Sequence, residues 1–169
     1  MRVEGRARVL GDRINTDYII ASARKKESLD PAHLRTWLLE AVDPDFAASV
    51  EPGDILVAGD AFGCGSAMEV AVTVVQAAGI RAVLARSFAR TYFRNAINNG
   101  LLPVTCDTAG IAEGSRLTLE VTPGATRVRD RTRGADLAAD PFPPFVLDLL
   151  EAGGLVPWLR GGGAFGDPA

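Results

Sequence analysis

The residue types best placed to do chemistry gather around one serine. Ser66 lies in Phe62-Gly63-Cys64-Gly65-Ser66-Ala67-Met68-Glu69, a glycine-rich bend that leads into a segment with helical spacing. A serine in that position can cap the helix, donate to an anion, or act as a base or nucleophile. The last use needs a stabilised alkoxide, because a free hydroxyl is a poor base at neutral pH. Backbone N–H groups from Gly65 to Ala67 and the positive end of a helix dipole are candidates for that task, and equally for holding a carboxylate or phosphate. Arg24, Lys25 and Lys26 form a basic cluster on an expected loop, read either as solvated surface or as cations carried over an anionic substrate. Asn15, Thr16 and Asp17 end a turn-rich loop, where they either stiffen the turn or shape the floor of a site. The single histidine, His33, falls in an expected helix, so a Ser-His-Asp triad would rest on that residue alone.

Periodicity supplies the elements that must position these groups. Ile55-Leu56-Val57-Ala58 is an apolar run without helical period, the pattern of a strand buried on both faces. Val70, Val74, Val75 and Ala78 then mark one helical stripe, with Gly79 as its stop. The unit repeats once: Ala82 to Ala85 as a strand, Arg90 to Asn98 as a helix, Asn99-Gly100 as its stop, and Leu101 to Thr105 as a third strand. Two strand–helix units in tandem predict a parallel sheet with right-handed crossovers.

Upstream, Val3 to Leu10 alternates in the manner of an edge or half-exposed strand. Asp30 and Pro31 open a helix whose buried stripe is Leu34, Trp37, Leu38 and Val42, and a short second helix is expected from Phe46 to Val50. Downstream, Gly114 to Val121 alternates with period two, and Pro123-Gly124 turns it back into Ala125 to Val128, an antiparallel hairpin packed near the sheet. A last helix is expected over Phe145 to Ala152, and the glycine-rich residues 161–169 as a loose tail, which leaves 1–160 as one domain.

Composition narrows the classes. The chain has 169 residues, enough for one domain with a sizeable core, and 18 basic against 21 acidic side chains give a formal charge of -3, unlike a dedicated nucleic-acid binder. No apolar run approaches the roughly 20 residues of a membrane span, and the N-terminus lacks a secretion signal's apolar core, so the cytoplasm is the expected compartment. Only Cys64 and Cys106 are present, too few for this chain alone to hold a zinc or iron–sulfur site made of thiolates.

Five stretches in consistent order carry a family resemblance. They are Ile14 to Ile20, Pro52 to Gly59, Phe62 to Ser66, Ser87 to Arg90, and Arg94 to Leu101. Together they resemble the small subunit of 3-isopropylmalate dehydratase, itself similar to the swivel domain of aconitase and homoaconitase, from about Val3 to Val121. The resemblance implies an α/β fold of the swivelling β/β/α type, a mixed sheet with flanking helices. It implies a large partner subunit carrying a [4Fe-4S] cluster, and reversible dehydration of a small hydroxy-acid substrate through an alkene. Neither nucleic acid nor a membrane enters that picture; self-association of the isolated chain into a homo-oligomer stays open.

In the family the bend continues Ser-Ser-Arg-Glu-His, the first serine being the base and the arginine gripping a substrate carboxylate. Here it reads Ser66-Ala67-Met68-Glu69-Val70, so the base and the glutamate are kept while the guanidinium is replaced by a thioether. Three consequences are open. The substrate carries an apolar group beside Met68, or Arg24, Lys25 or Lys26 supplies the missing cation, or the chain has become a non-catalytic anion-binding or assembly subunit. The resemblance implies Ser66 as proton abstractor and Gly65, Ala67 and Met68 around the substrate. Arg24, Lys25 and Lys26 are expected over its distal end, and Asn15, Thr16 and Asp17 beneath it.

Overall fold

The computed structural model describes residues 1–165; residues 166–169 of the expected tail lie outside the described residues. Its strands are β1 (Arg2–Val9), β2 (Ile55–Ala58), β3 (Ala82–Ala85), β4 (Leu102–Thr105), β5 (Arg116–Thr122), β6 (Ala125–Asp130) and β7 (Ala135–Ala138). They form one sheet in the order β4-β3-β2-β1-β5-β6-β7. The half from β1 to β4 is parallel, and from β1 through β7 every pairing is antiparallel.

Strand β1 is therefore the seam of the sheet and not an edge. Its first half pairs with β5 from Arg2 to Arg6, and its second half pairs with β2 from Ala7 to Val9. One face of the first half is open to solvent, so a central strand has the alternation of a peripheral one. The hairpin expected beside the sheet is part of it through β1. Strand β7 went unrecognised because Leu137 is its one large apolar residue.

Two cores lie on opposite faces. Leu56 and Ala58 of β2 enter one, with Leu34, Val72, Val75 and Tyr92; Ile55 and Val57 enter the other, with Leu84, Leu119, Val128 and Leu147. Both faces of β2 and β3 are thus covered, which is why these two strands lack polar residues.

The helices are α1 (Thr16–Ile19), α2 (Pro31–Leu34), α3 (Phe46–Ser49), α4 (Val70–Ala77), α5 (Arg90–Asn98), α6 (Pro144–Glu151) and α7 (Leu155–Arg160). Asp30 caps α2 through its side chain, with Pro31 at the first position. The helix does not continue to Val42, which is exposed; it tightens into a 3-10 turn over Arg35–Trp37 and ends. Leu38 and Leu39 are both fully buried, and Leu39 has a φ of 58°, so the chain turns sharply to bury neighbours that one helical face could not accommodate. Helix α7 begins directly after Gly154, beyond the glycine pair where periodicity ends, and its Pro157 sits in the first turn, where no N–H is needed.

Candidate active site

Ser66 stands exposed on the connection from β2 to α4, at the carboxyl end of the parallel strands. The connections beyond β1, β2 and β3 stay paired after the strands stop, through isolated bridges Asn15 to Cys64 and Phe62 to Phe88. Gly63 N–H donates to the Ile14 carbonyl at 2.8 Å, and Thr16 N–H donates to the Cys64 carbonyl at 2.8 Å. On the other side Phe62 N–H donates to the Ser87 carbonyl at 3.0 Å, and Ala89 N–H to the Phe62 carbonyl at 2.9 Å. The bend is thereby held between two neighbours, and Ser66 projects from a fixed frame.

Two glycines shape that frame. Gly63 has a φ of 75°, and a Cβ on it would overlap the buried ring of Tyr92. Gly65 has a φ of 99° and lies against the Asn15 amide, which leaves no room for a side chain. Asn15 caps α1 by accepting from Asp17 N–H at 2.9 Å, and Thr16 Oγ1 donates to the Ser66 carbonyl at 3.0 Å. The Asn15-Thr16-Asp17 triplet thus adjoins the bend.

Helix α4 begins later than the sequence implies. Its N-cap is Glu69, without a side-chain capping bond, so Ser66 precedes the first helical turn and is not its cap. Because dipole effects fade within a turn, the electrostatic help near Ser66 must come chiefly from individual amides. Those amides are available: among the described residues, the backbone N–H groups of Gly65, Ser66, Ala67, Met68, Glu69 and Val70 donate to no protein acceptor. Backbone N–H groups without protein acceptors are donors that an anion can use.

Met68 is buried beside this run, and its sulfur has polar company. Lys25 Nζ lies 3.1 Å from Met68 Sδ, and Ser22 Oγ lies 3.6 Å from it. Ser22 Oγ also donates to Asp17 Oδ1 at 2.5 Å, which ties the basic loop to the triplet below. Lys25 has no carboxylate within 4.0 Å among the described residues. Its ammonium, half-buried and facing a weak thioether acceptor, retains donors for an external anion.

The three basic residues separate in space. Arg24 Nε and Nη2 both donate to Glu40 at 2.9 Å, Nη1 donates to Glu27 at 3.0 Å, and the guanidinium stacks over Trp37 at 4.6 Å. Hydrogen bonding from Arg24 holds the Glu40 carboxyl below the usual range. Arg24 is therefore engaged by Glu40, Glu27 and Trp37. Lys26 is exposed and makes no ion pair among the described residues. His33 is exposed, packs edge-on against Trp37 with ring centroids 4.9 Å apart, and makes no hydrogen bond to Ser66, which leaves no triad.

Sequence reasoning missed Ser22, whose link to Met68 spans 46 positions and leaves no local signal. It also missed a latch across the strand ends, where Arg86 Nη2 donates to Asp12 at 2.6 Å and to Asp60 at 2.9 Å. The hydrogen bond from Arg86 lowers the Asp60 pKa.

The residues of this chain do not fit an iron–sulfur cluster. Cys64 is half-exposed beside the bend while Cys106 is buried in the opposite core, and no three His, Cys, Asp or Glu side chains among the described residues could hold a metal ion.

A mixed sheet of this order with a glycine bend at its parallel end defines an aconitase-type swivel domain, and the family model described as the aconitase C-terminal domain matches residues 13–109. A 3-isopropylmalate dehydratase small subunit from Thermodesulfovibrio yellowstonii is 40% identical over 164 residues, covering 95% of each chain. Another, small subunit 1 of Methanopyrus kandleri, is 44% identical over 158 residues, covering 94% of this chain and 92% of that one. The crystal structure of 3-isopropylmalate dehydratase from Methanocaldococcus jannaschii superimposes with a TM-score of 0.90 at 34% identity, over 96% of this chain and 95% of that one. Aconitase X of Thermococcus kodakaraensis, at a TM-score of 0.52 and 15% identity over 82% and 90%, shares the fold alone. The chain belongs to the 3-isopropylmalate dehydratase small-subunit family, within the aconitase group of hydro-lyases.

Proposed function

We infer that this chain works as half of a heteromeric hydro-lyase, closing over a small hydroxy acid held on a large, cluster-bearing partner subunit in the cytoplasm. Family membership supports the reaction class, and the absence of a thiolate set among the described residues suits a division in which the partner brings the [4Fe-4S] cluster. The observation that carries the reading is the exposed Ser66 hydroxyl at the head of a run of unengaged backbone N–H groups.

In this proposal Ser66 as alkoxide takes a proton from a substrate carbon. The C–H electron pair becomes the new π bond as hydroxide departs on the partner's side, and hydration reverses both changes. The amides of Gly65 to Ala67 stabilise the alkoxide and one substrate carboxylate. Lys25 supplies a cation that the family draws from arginine at the position of Met68, and the Met68 thioether meets an apolar part of the substrate. A hydroxy acid with a distal carboxylate within reach of a single ammonium suits this pair better than one needing a bidentate guanidinium. Arg24 holds the loop, Lys26 adds to the long-range field, and Asn15, Thr16 and Asp17 support the bend from below.

Turnover by the complex reconstituted with its large subunit tests the reading. Replacing Ser66 by alanine is expected to abolish activity while the two subunits still co-purify; undiminished activity removes Ser66 from the chemistry. If wild-type chain assembles normally but no hydroxy acid turns over, the alternative of a non-catalytic subunit is favoured.

A further inference from the structure

The antiparallel half of the sheet has one face in the second core and one face in solvent. Cross-strand register puts Arg2 opposite Glu120, Glu120 opposite Arg127, Thr118 opposite Arg129, and Arg129 opposite Asp136. These residues share the outer face, since their neighbours Leu119, Val121 and Val128 are in the core. On that face lies a cavity of about 560 Å³, lined by Arg2, Arg127, Arg129, Arg131 and Thr118. Its size is that of a small-ligand site.

The charge of the lining departs from that of the molecule. The chain carries a net -3, yet the cavity gathers four arginines against two carboxylates, Glu120 and Asp136. Arg2 is engaged by Glu4 and lies 4.0 Å from Glu120, and Arg129 lies 3.7 Å from Asp136. Arg127 and Arg131 have no carboxylate within 4.0 Å among the described residues. Between these side chains Thr118 is only 7% exposed, and its hydroxyl has no hydrogen-bond partner. Alternate residues on a strand are about 7 Å apart, so Arg127 and Arg129 of β6 present forked donors at that interval, and Arg131 joins them from the turn that follows.

We propose that this hollow is a binding site for a small polyanion, a molecule with two or more carboxylate or phosphate groups, gripped by Arg127 and Arg131. It lies on the antiparallel half, apart from the Ser66 bend, and does not depend on the catalytic reading.

Titration calorimetry of the full chain with tripolyphosphate and, separately, with citrate tests this and tells phosphate from carboxylate preference. Saturable one-to-one binding of at least one of them, at a Kd of about 1 mM or below, is expected. The double variant R127Q/R131Q should weaken it about tenfold or more while unfolding at the same temperature as wild type. Raised salt should weaken it further. Because a carboxylate probe could also reach the bend, the loss on R127Q/R131Q is what assigns the binding to this hollow. Failure of both anions to saturate below about 10 mM overturns the proposal. So does undiminished binding by R127Q/R131Q.

Discussion

In the proposed site Lys25 and Met68 take the place of one guanidinium, and the consequence can be measured at single side chains. A charge-assisted hydrogen bond contributes about 1.5–3 kcal/mol, so Lys25→Gln should raise KM about ten- to a hundredfold with a smaller change in kcat. An unchanged KM would mean that Lys25 does not meet substrate. The two thiols offer a second test at this scale. Burial, with help from Asp107 and Asp140, pushes the Cys106 thiol up to about 12, whereas Cys64 is half-exposed at the bend. Thiolate is the reactive form, so iodoacetamide at neutral pH should modify Cys64 in the folded chain and leave Cys106 untouched, as peptide mass mapping would reveal. Residue types near Ser66 were legible in advance, because glycine, serine and asparagine keep meaning over a few positions. The separation of Arg24 from Lys25 was not: two adjacent cations look alike until Glu40 and Trp37 come round to claim one of them.

Among elements, the bend from β2 to α4 depends on two positive-φ glycines that neighbouring connections grip from both sides. Gly63→Ala should cost roughly 2–5 kcal/mol, from a left-handed conformation and from overpacking against Tyr92. Gly11 is the control, since nothing lies within 4 Å of a Cβ there and its φ is ordinary; Gly11→Ala should be neutral or stabilising by up to about 1 kcal/mol. Urea unfolding of both variants checks the pair, and equal effects would refute this account of the bend. Strands β2 and β3 matched their sequence patterns because each is buried on both faces along its whole length. Helix α2 was overextended because its apolar spacing continues past the point where Leu38 and Leu39 must both reach the core.

Across the whole molecule, β1 joins the two halves of the sheet, and a buried charge network pins it to the start of β2. Asp54 is 3% exposed and accepts from Arg6 at 2.8 and 3.1 Å and from Arg8 at 3.4 Å. Burial alone would raise its pKa, but hydrogen bonds from Arg6, the Glu51 backbone and Arg8 outweigh it and hold the carboxyl below its ordinary value. A depressed pKa stabilises the folded state above the unfolded value of about 3.9, and the contribution is lost as pH falls through the lower folded value. Asp54→Asn, which takes from Arg6 its main carboxylate and leaves Arg8 with Glu113 alone, should cost about 1.5–3 kcal/mol at neutral pH and flatten the fall in urea midpoint below pH ~4. An unchanged acid limb would exclude Asp54 as a source of the pH dependence.

The sequence by itself determined the glycine bend with its serine, the two strand–helix units, the hairpin and the shortage of metal-binding thiols. Each is written in residue types and short periods, and local sterics and burial act over such distances. Tertiary structure alone decided that β1 is central, that the hairpin extends the same sheet, that Lys25 rather than Arg24 reaches Met68, and that arginines from separate strands surround one hollow. Those outcomes depend on which distant segments share an edge or a face, and side-chain partners chosen across 40 or more positions, as Lys25 and Met68 are, leave no periodic trace in the chain.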